Sequence, residues 1–375
     1  MKNLNLSRKL YELLTADYED EEARLVILPD HFHEKRPADI VCVNDGNGIE
    51  IICFKTLYFQ IFSEARGVLS ELQIDRGCYL ATTVLLLITP EDHSNIRRHE
   101  ELFLSRLKDS NCDGRWKRDK VTEAFVRREI KFVTLCLTSS LARVNKSPSL
   151  WLLYRKLYVI TDSLFPTIEV NHAMCFSKSA EAHFSNYYSW HTLRWMFDIG
   201  PKELKMHLSE ATEAFCFRNP KDSSAWWSLS HVLVPSSDAQ KHSAAQRNML
   251  RTRYSFPSSS ELIPRCASPI EVESKVRNIV KYIDYAEICE YPPFRCLEKL
   301  FQVLHQNCQE KYLERWCFQI KMFERENFAI SESSVVHSNT QIQENLLIQR
   351  DFKALVMKKK FVLHMLPPTV LKSAP

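Results

Sequence analysis

Glycine is scarce in this chain, six residues of 375, where an ordinary chain carries about 7%. Sheet-rich and doubly wound folds use glycine in tight turns and phosphate loops, so the shortage points to helices joined by polar or proline turns. It leaves no GxGxxG and no GxxxxGK, which removes both familiar nucleotide-binding loops. No CxxC occurs among the twelve cysteines; they sit in apolar segments such as Leu135-Cys136-Leu137 and Phe215-Cys216-Phe217, the setting of small core residues. No apolar run approaches the roughly 18 residues that a membrane span requires. A strong charge bias is missing too: the net charge is +4, without the basic excess of a dedicated nucleic-acid binder. The polar opening Met1 to Leu10 shows no leader peptide and Lys372 to Pro375 no prenylation box, so a cytoplasmic chain with reduced thiols is expected.

What is present is mostly helical periodicity. Leu6 to Leu14 predicts a first helix, followed by an acidic stretch, Asp17 to Glu22. Ile40-Val41-Cys42-Val43 and Ile49-Glu50-Ile51-Ile52 flank Asn44 to Gly48 and predict a small hairpin capping a helical array. From about Phe54 the period becomes 3.6. Val126, Ile130, Val133 and Leu137 lay one apolar stripe, as do Leu204, Leu208, Ala211 and Phe215, and Val272, Val276, Ile279 and Ile283. Gly200-Pro201 separates two helices. Arg115 to Lys120 reads as a charged connection, and the Ser-, Pro-, Lys- and Arg-rich stretch from Pro235 to Pro269 as a long insertion or loop. The expected organisation is an N-terminal cap over 1–53, repeats over 54–326 with an insertion at about 235–269, and a polar segment with a final helix and tail over 327–375.

An internal repeat runs through the middle. Pro148-Ser149-Leu150-Trp151 is followed by Arg155. Asn186-Tyr187-Tyr188-Ser189-Trp190 is followed by Arg194, and Pro220 to Trp226 continues the series. The tryptophans are 39 and 36 residues apart, a period that means stacked helix pairs. An earlier copy is read at Thr89 to Arg98, with Ser94 in the tryptophan's place and Arg97-Arg98 behind it, and a weak later copy at Tyr291-Pro292-Pro293-Phe294.

These residues resemble the protein prenyltransferase α-subunit repeat, and the likeness extends to Leu25 to Pro29, to Thr83 to Pro90 and to Lys311 to Trp316. The closest branch is the prenyltransferase α-subunit repeat-containing protein. The resemblance implies an all-α solenoid of helical hairpins with a small N-terminal β-hairpin. It further implies the non-catalytic α subunit of a heterodimeric protein geranylgeranyl transferase, with zinc and isoprenoid diphosphate held by the partner and no cofactor in this chain. The implied partners are a β subunit of the Rab geranylgeranyl transferase type and a client with a C-terminal cysteine, a SNARE protein being one such client. The family's Lys-Asn-Tyr appears here as Ser185-Asn186-Tyr187, without the lysine, and Leu229 and Ser230 replace its Arg-Arg in the third copy. The rival expectation is a stand-alone helical-repeat adaptor. RNA binding through Lys241, Arg247, Arg251, Arg253 and Arg265 is the weakest, a disordered loop being the plainer reading.

The candidate partner- or substrate-facing residues are Arg97, Arg98, Arg155, Asn186, Tyr187 and Arg194. The arginines suit either bracing within the solenoid or contact with a partner's carboxylates. Trp151, Trp190 and Trp226 read first as core. His31-x-His33 lacks the second ligand pair that a zinc site needs, and no thiol is marked as an activated nucleophile. Lys358-Lys359-Lys360 reads as a solvated helix end.

Overall fold

The computed structural model describes residues 4–18, 23–32, 39–44, 46, 48–70, 76–108, 115–256, 269–333 and 341–365. The end of the acidic stretch (19–22), His33, Arg265 with the rest of 257–268, the polar stretch 334–340 and the tail 366–375 lie outside the described residues.

Helix α1 (Asn5–Thr15) matches the first periodic stretch and buries Leu10 and Leu14. Strands β1 (Ala23–Leu28), β2 (Val41–Asn44) and β3 (Ile49–Phe54) follow, then α2 (Lys55–Leu69), α3 (Arg76–Ile88), α4 (His93–Leu107) and α5 (Lys120–Thr138). Next come the short α6 (Ala142–Asn145), α7 (Pro148–Leu164), α8 (His172–Ala182) and α9 (Tyr187–Ile199). The chain continues with α10 (Lys202–Arg218), α11 (Ser223–Leu233), α12 (Ser237–Arg253), α13 (Pro269–Tyr285), α14 (Tyr291–Phe301), α15 (Gln306–Ser333) and α16 (Gln341–Met365). The protein is thus mainly helical with one small sheet.

The expected hairpin is β2–β3, antiparallel, with Cys42 opposite Ile51. Its turn needs glycine: φ is +80° at Gly46 and +147° at Gly48, and the Asn44 side chain accepts the Gly46 N–H at 2.8 Å. The sheet is larger than the hairpin expected. β1 pairs in parallel with the other edge of β3, Leu25 beside Ile51, which makes β3 the central strand and buries its alternate residues Ile49, Ile51 and Cys53.

The described chain forms two compact units, residues 1–199 with 243–261, and 200–242 with 262–375. In the first, two helix starts without caps of their own are capped from elsewhere in the sequence. Glu64 on α2 accepts the N–H of Leu6 at 3.3 Å and of Ser7 at 3.0 Å, and Asp30 accepts the Thr56 N–H at 3.0 Å at the start of α2. A carboxylate there satisfies orphan donors and meets the positive end of the helix dipole.

The repeat appears as a cap-and-tryptophan device. Ser147 and Asp222 are N-caps whose side chains accept the N–H three residues on, and Asn186 does so for Ser189. Four residues after each cap a tryptophan, Trp151, Trp190 or Trp226, is buried. The indoles of Trp151 and Trp226 donate to the carbonyls of Asn145 (2.9 Å) and Asn219 (3.2 Å) in the preceding turn. Counting from its cap Asp92, the earlier copy puts Ile96, not Ser94, in the tryptophan's place: the cap starts the helix, so it sets the register.

Much of the stretch expected as a loop is helix α12. Arg247 on it donates to Asp162 of α7 at 2.7 Å, Ser243 to Asp198 of α9 at 2.7 Å, and the Tyr254 hydroxyl to Glu100 of α4 at 2.8 Å. Its low hydrophobicity hides it because it is held by polar and ionic contacts. In the second unit, Trp226 and Phe217 pack on Tyr282, and Trp316, Phe294, Phe301 and Phe361 form an aromatic core. Lys358, expected in solvent, is buried and reaches Asp284 at 2.7 Å, because α16 turns that face inward beneath Trp316.

Candidate functional site

The sequence-predicted residues separate into three groups. Arg97 is exposed and pairs with Glu101 one turn away, at 3.0 Å. Arg98 donates to the Leu69 carbonyl at 3.4 Å and lies 3.8 Å from the Cys78 sulfur, tying α4 to its neighbours. Asn186 is structural: its amide donates to Asn145 Oδ1 at 2.5 Å and to Ser179 Oγ at 3.0 Å inside the core. The third group, Arg155, Arg194 and Tyr187, comes together at the seam between α7 and α9.

Spacing explains the seam. Arg155 follows Trp151 by one turn, and Arg194 follows Trp190 by one turn, so neighbouring helices present the two arginines beside each other. Arg155 is only 9% exposed. Its Nε donates to Thr192 Oγ1 at 3.2 Å, one Nη to His191 Nδ1 at 2.9 Å, and its guanidinium lies 5.3 Å from the centre of the Trp195 ring. Each of these partners accepts without carrying a negative charge; His191 Nδ1 accepts only as the neutral imidazole. Among the described residues no carboxylate pairs with Arg155, and its three other N–H groups meet no acceptor. Burial first, and then the nearby Arg194 charge, pull the Arg155 guanidinium down to about 10; burial brings Arg194 down to about 10 as well, against the pull of Tyr187 and Asp198. The Tyr187 ring stacks on His191, centroids 5.5 Å apart, and is itself more than half exposed. The seam therefore has a buried cation behind an accessible aromatic.

A second buried cluster, which no sequence motif announced, joins α3, α4 and α5. His99 Nε2 lies 2.7 Å from Glu129, which also accepts from the Tyr79 hydroxyl, and His99 Nδ1 is 3.2 Å from Thr82 Oγ1. The order hydroxyl, imidazole, carboxylate is that of a nucleophile with its base. Thr82, however, donates to the Tyr79 carbonyl at 2.8 Å and is fully buried, so no substrate reaches it and the cluster braces the core. No local spacing could have found these residues, because Thr82, His99 and Glu129 belong to three different helices.

Fold and seam define a mainly helical protein of two units that buries an arginine with no carboxylate partner among the described residues. The sequence matches the models of the ECM9 N-terminal domain over residues 1–138, the ECM9 middle domain over 150–255 and the ECM9 C-terminal domain over 272–372; in this order they span most of the chain. It is similar to Protein ECM9 of Saccharomyces cerevisiae (strain ATCC 204508 / S288c), 27% identical over 381 residues that cover 96% of each chain.

These matches overturn the resemblance to the prenyltransferase α-subunit repeat, and with it the α-subunit function and the prenylation vocabulary. The reason lies in the motif. A cap, a core tryptophan four residues later and an arginine one turn beyond arise wherever helix pairs stack, so the pattern records packing rather than descent. The expectations of a β subunit, a client cysteine, and zinc and isoprenoid diphosphate in a partner lose the resemblance that carried them. Among the described residues no helix is long and apolar enough to cross a membrane.

Proposed function

We propose that this protein binds a ligand bearing an oxyanion, a carboxylate or phosphoryl group, at the α7–α9 seam, with Arg155 as the anchoring cation. One observation carries the reading: a guanidinium nine-tenths buried, with only neutral partners among the described residues. Burying a charge without a counter-charge is unfavourable, and such groups are retained where a ligand supplies the missing charge. Three N–H groups in a planar fork suit bidentate capture of a carboxylate or phosphate. Tyr187, exposed and stacked on His191, offers an aromatic surface beside that fork. The cap-and-tryptophan repeat supports a solenoid of helical hairpins as the scaffold of this seam. The free cysteines, six of them buried among those described, support a reducing, cytoplasmic setting.

The test is thermal denaturation of the full chain in inorganic phosphate or acetate against chloride at matched ionic strength. The wild type gains stability with one of the oxyanions, Arg155→Gln loses that gain, and Arg97→Gln keeps it. Equal gains in wild type and Arg155→Gln would refute the site. A second readout is stability without ligand: Arg155→Met is expected to match or exceed the wild type, whereas a bracing role predicts a loss of 2 kcal/mol or more, on the order set by a lost buried charged hydrogen bond.

A further inference from the structure

The first unit contains a cavity of about 580 Å³, well inside the range of small-molecule sites. It opens where α1, α3, α4 and α5 meet. Three cations line it, Arg106, Lys120 and Arg128, together with three aromatic rings, Tyr11, Tyr79 and Phe125, and its described lining includes no carboxylate. The nearest buried acid, Glu129, is already engaged by Tyr79 and His99.

Helical spacing builds one wall. Lys120, Ala124 and Arg128 are successive turns of α5, and Val121 and Phe125 run beside them, so a charged row adjoins an apolar row along a single face. Opposite, the Arg106 guanidinium lies 4.1 Å from the centre of the Tyr79 ring and 5.4 Å from that of Phe125. A planar cation held against two aromatic rings is a stacking surface. Lys120 and Arg128 stand more exposed than Arg106, so the inner wall is the Arg106, Tyr79 and Phe125 stack and the two α5 cations lie at the mouth.

We propose that this cavity binds a phosphorylated aromatic small molecule of the nucleoside diphosphate class, the base against Arg106, Tyr11 and Phe125 and the phosphates on Lys120 and Arg128. The site is independent of Arg155 and uses no glycine loop, because side chains supply the phosphate contacts. A base alone would leave the cations unused, and a bare diphosphate would leave the aromatic wall unused.

Calorimetric titration of the full chain with ADP, adenosine and inorganic pyrophosphate tests this. ADP is expected to bind at least tenfold more tightly than either fragment. The double variant Lys120→Gln/Arg128→Gln should weaken ADP tenfold or more and flatten its salt dependence, while Phe125→Leu should weaken ADP and leave pyrophosphate unchanged. Arg97 lines neither site, so Arg97→Gln should bind ADP as the wild type does, and loss of ADP binding in the double variant with Arg155 intact separates this site from the seam. No ADP binding at millimolar concentration, equal binding of adenosine and ADP, or an unaffected double variant would each overturn the proposal. Circular dichroism of each variant confirms that it folds; a Lys120→Gln/Arg128→Gln chain that folds and binds ADP normally is decisive against it.

Discussion

Glu100 and Lys156 give the sharpest test of how the first unit is held together. Lys156 Nζ lies 2.6 Å from Glu100, both side chains are close to fully buried, and Glu100 also accepts the Tyr254 hydroxyl at 2.8 Å and lies 3.3 Å from Arg253. Three segments far apart in sequence, α4, α7 and the end of α12, meet on one carboxylate. Truncating one partner of a buried pair leaves the other charge stranded, which costs about 3–5 kcal/mol. Glu100→Leu strands Lys156, which has no other ion-pair partner among the described residues, so it belongs at the upper end, about 4 kcal/mol. Lys156→Met leaves Glu100 with Tyr254 and Arg253 still in place, so about 2–3 kcal/mol is expected. The double variant removes both charges and should cost less than the sum by at least about 1.5 kcal/mol. The chain has two units, so a single unfolding free energy does not describe it; native-state hydrogen exchange of the α7 amides reads the opening of this unit alone. Additivity of the two substitutions within about 0.5 kcal/mol would refute the reasoning.

Two further outcomes are expected. Burial holds the His172 imidazole down at about 4, where the Tyr154 hydroxyl meets its Nδ1 at 2.7 Å. The unfolded chain takes up this proton from about pH 6.5 downward while the folded one does not, so stability present at neutral pH falls as pH drops from about 6.5 towards 4, by on the order of 2 kcal/mol. His172→Gln should flatten that part of the acid denaturation profile, and an unchanged slope would count against the assignment. Asn186→Ala should cost about 2–3 kcal/mol by leaving Asn145 Oδ1 without its buried donor, while Ser179 keeps the Asn145 amide; a loss under about 0.5 kcal/mol in hydrogen exchange of the α9 amides would mean that water replaces the amide.

Element by element, the chain declared its helices better than its contacts. The stripes of α5 and α13 and the break at Gly200-Pro201 were legible because one apolar face each was enough to read. The seam was half legible: the spacing behind Trp151 and Trp190 singled out Arg155 and Arg194, but nothing local told bracing from binding, since that depends on whether a carboxylate arrives from another segment. Helix α12 was read as a loop because its stability comes from Asp162, Asp198 and Glu100, all remote in sequence. The family resemblance failed for the same reason in reverse, a packing pattern being local and shared by unrelated helix pairs.

Composition and periodicity by themselves determined that this protein is helical, that the three repeat tryptophans, Trp151, Trp190 and Trp226, are core and where most helices begin, because caps and apolar stripes act within a few residues. Tertiary structure alone decided that Lys358 goes inward, that β1 joins the hairpin, and that Arg155 is buried without a counter-charge among the described residues. Burial and charge pairing are set by segments distant along the chain, and no local rule encodes which of them will meet.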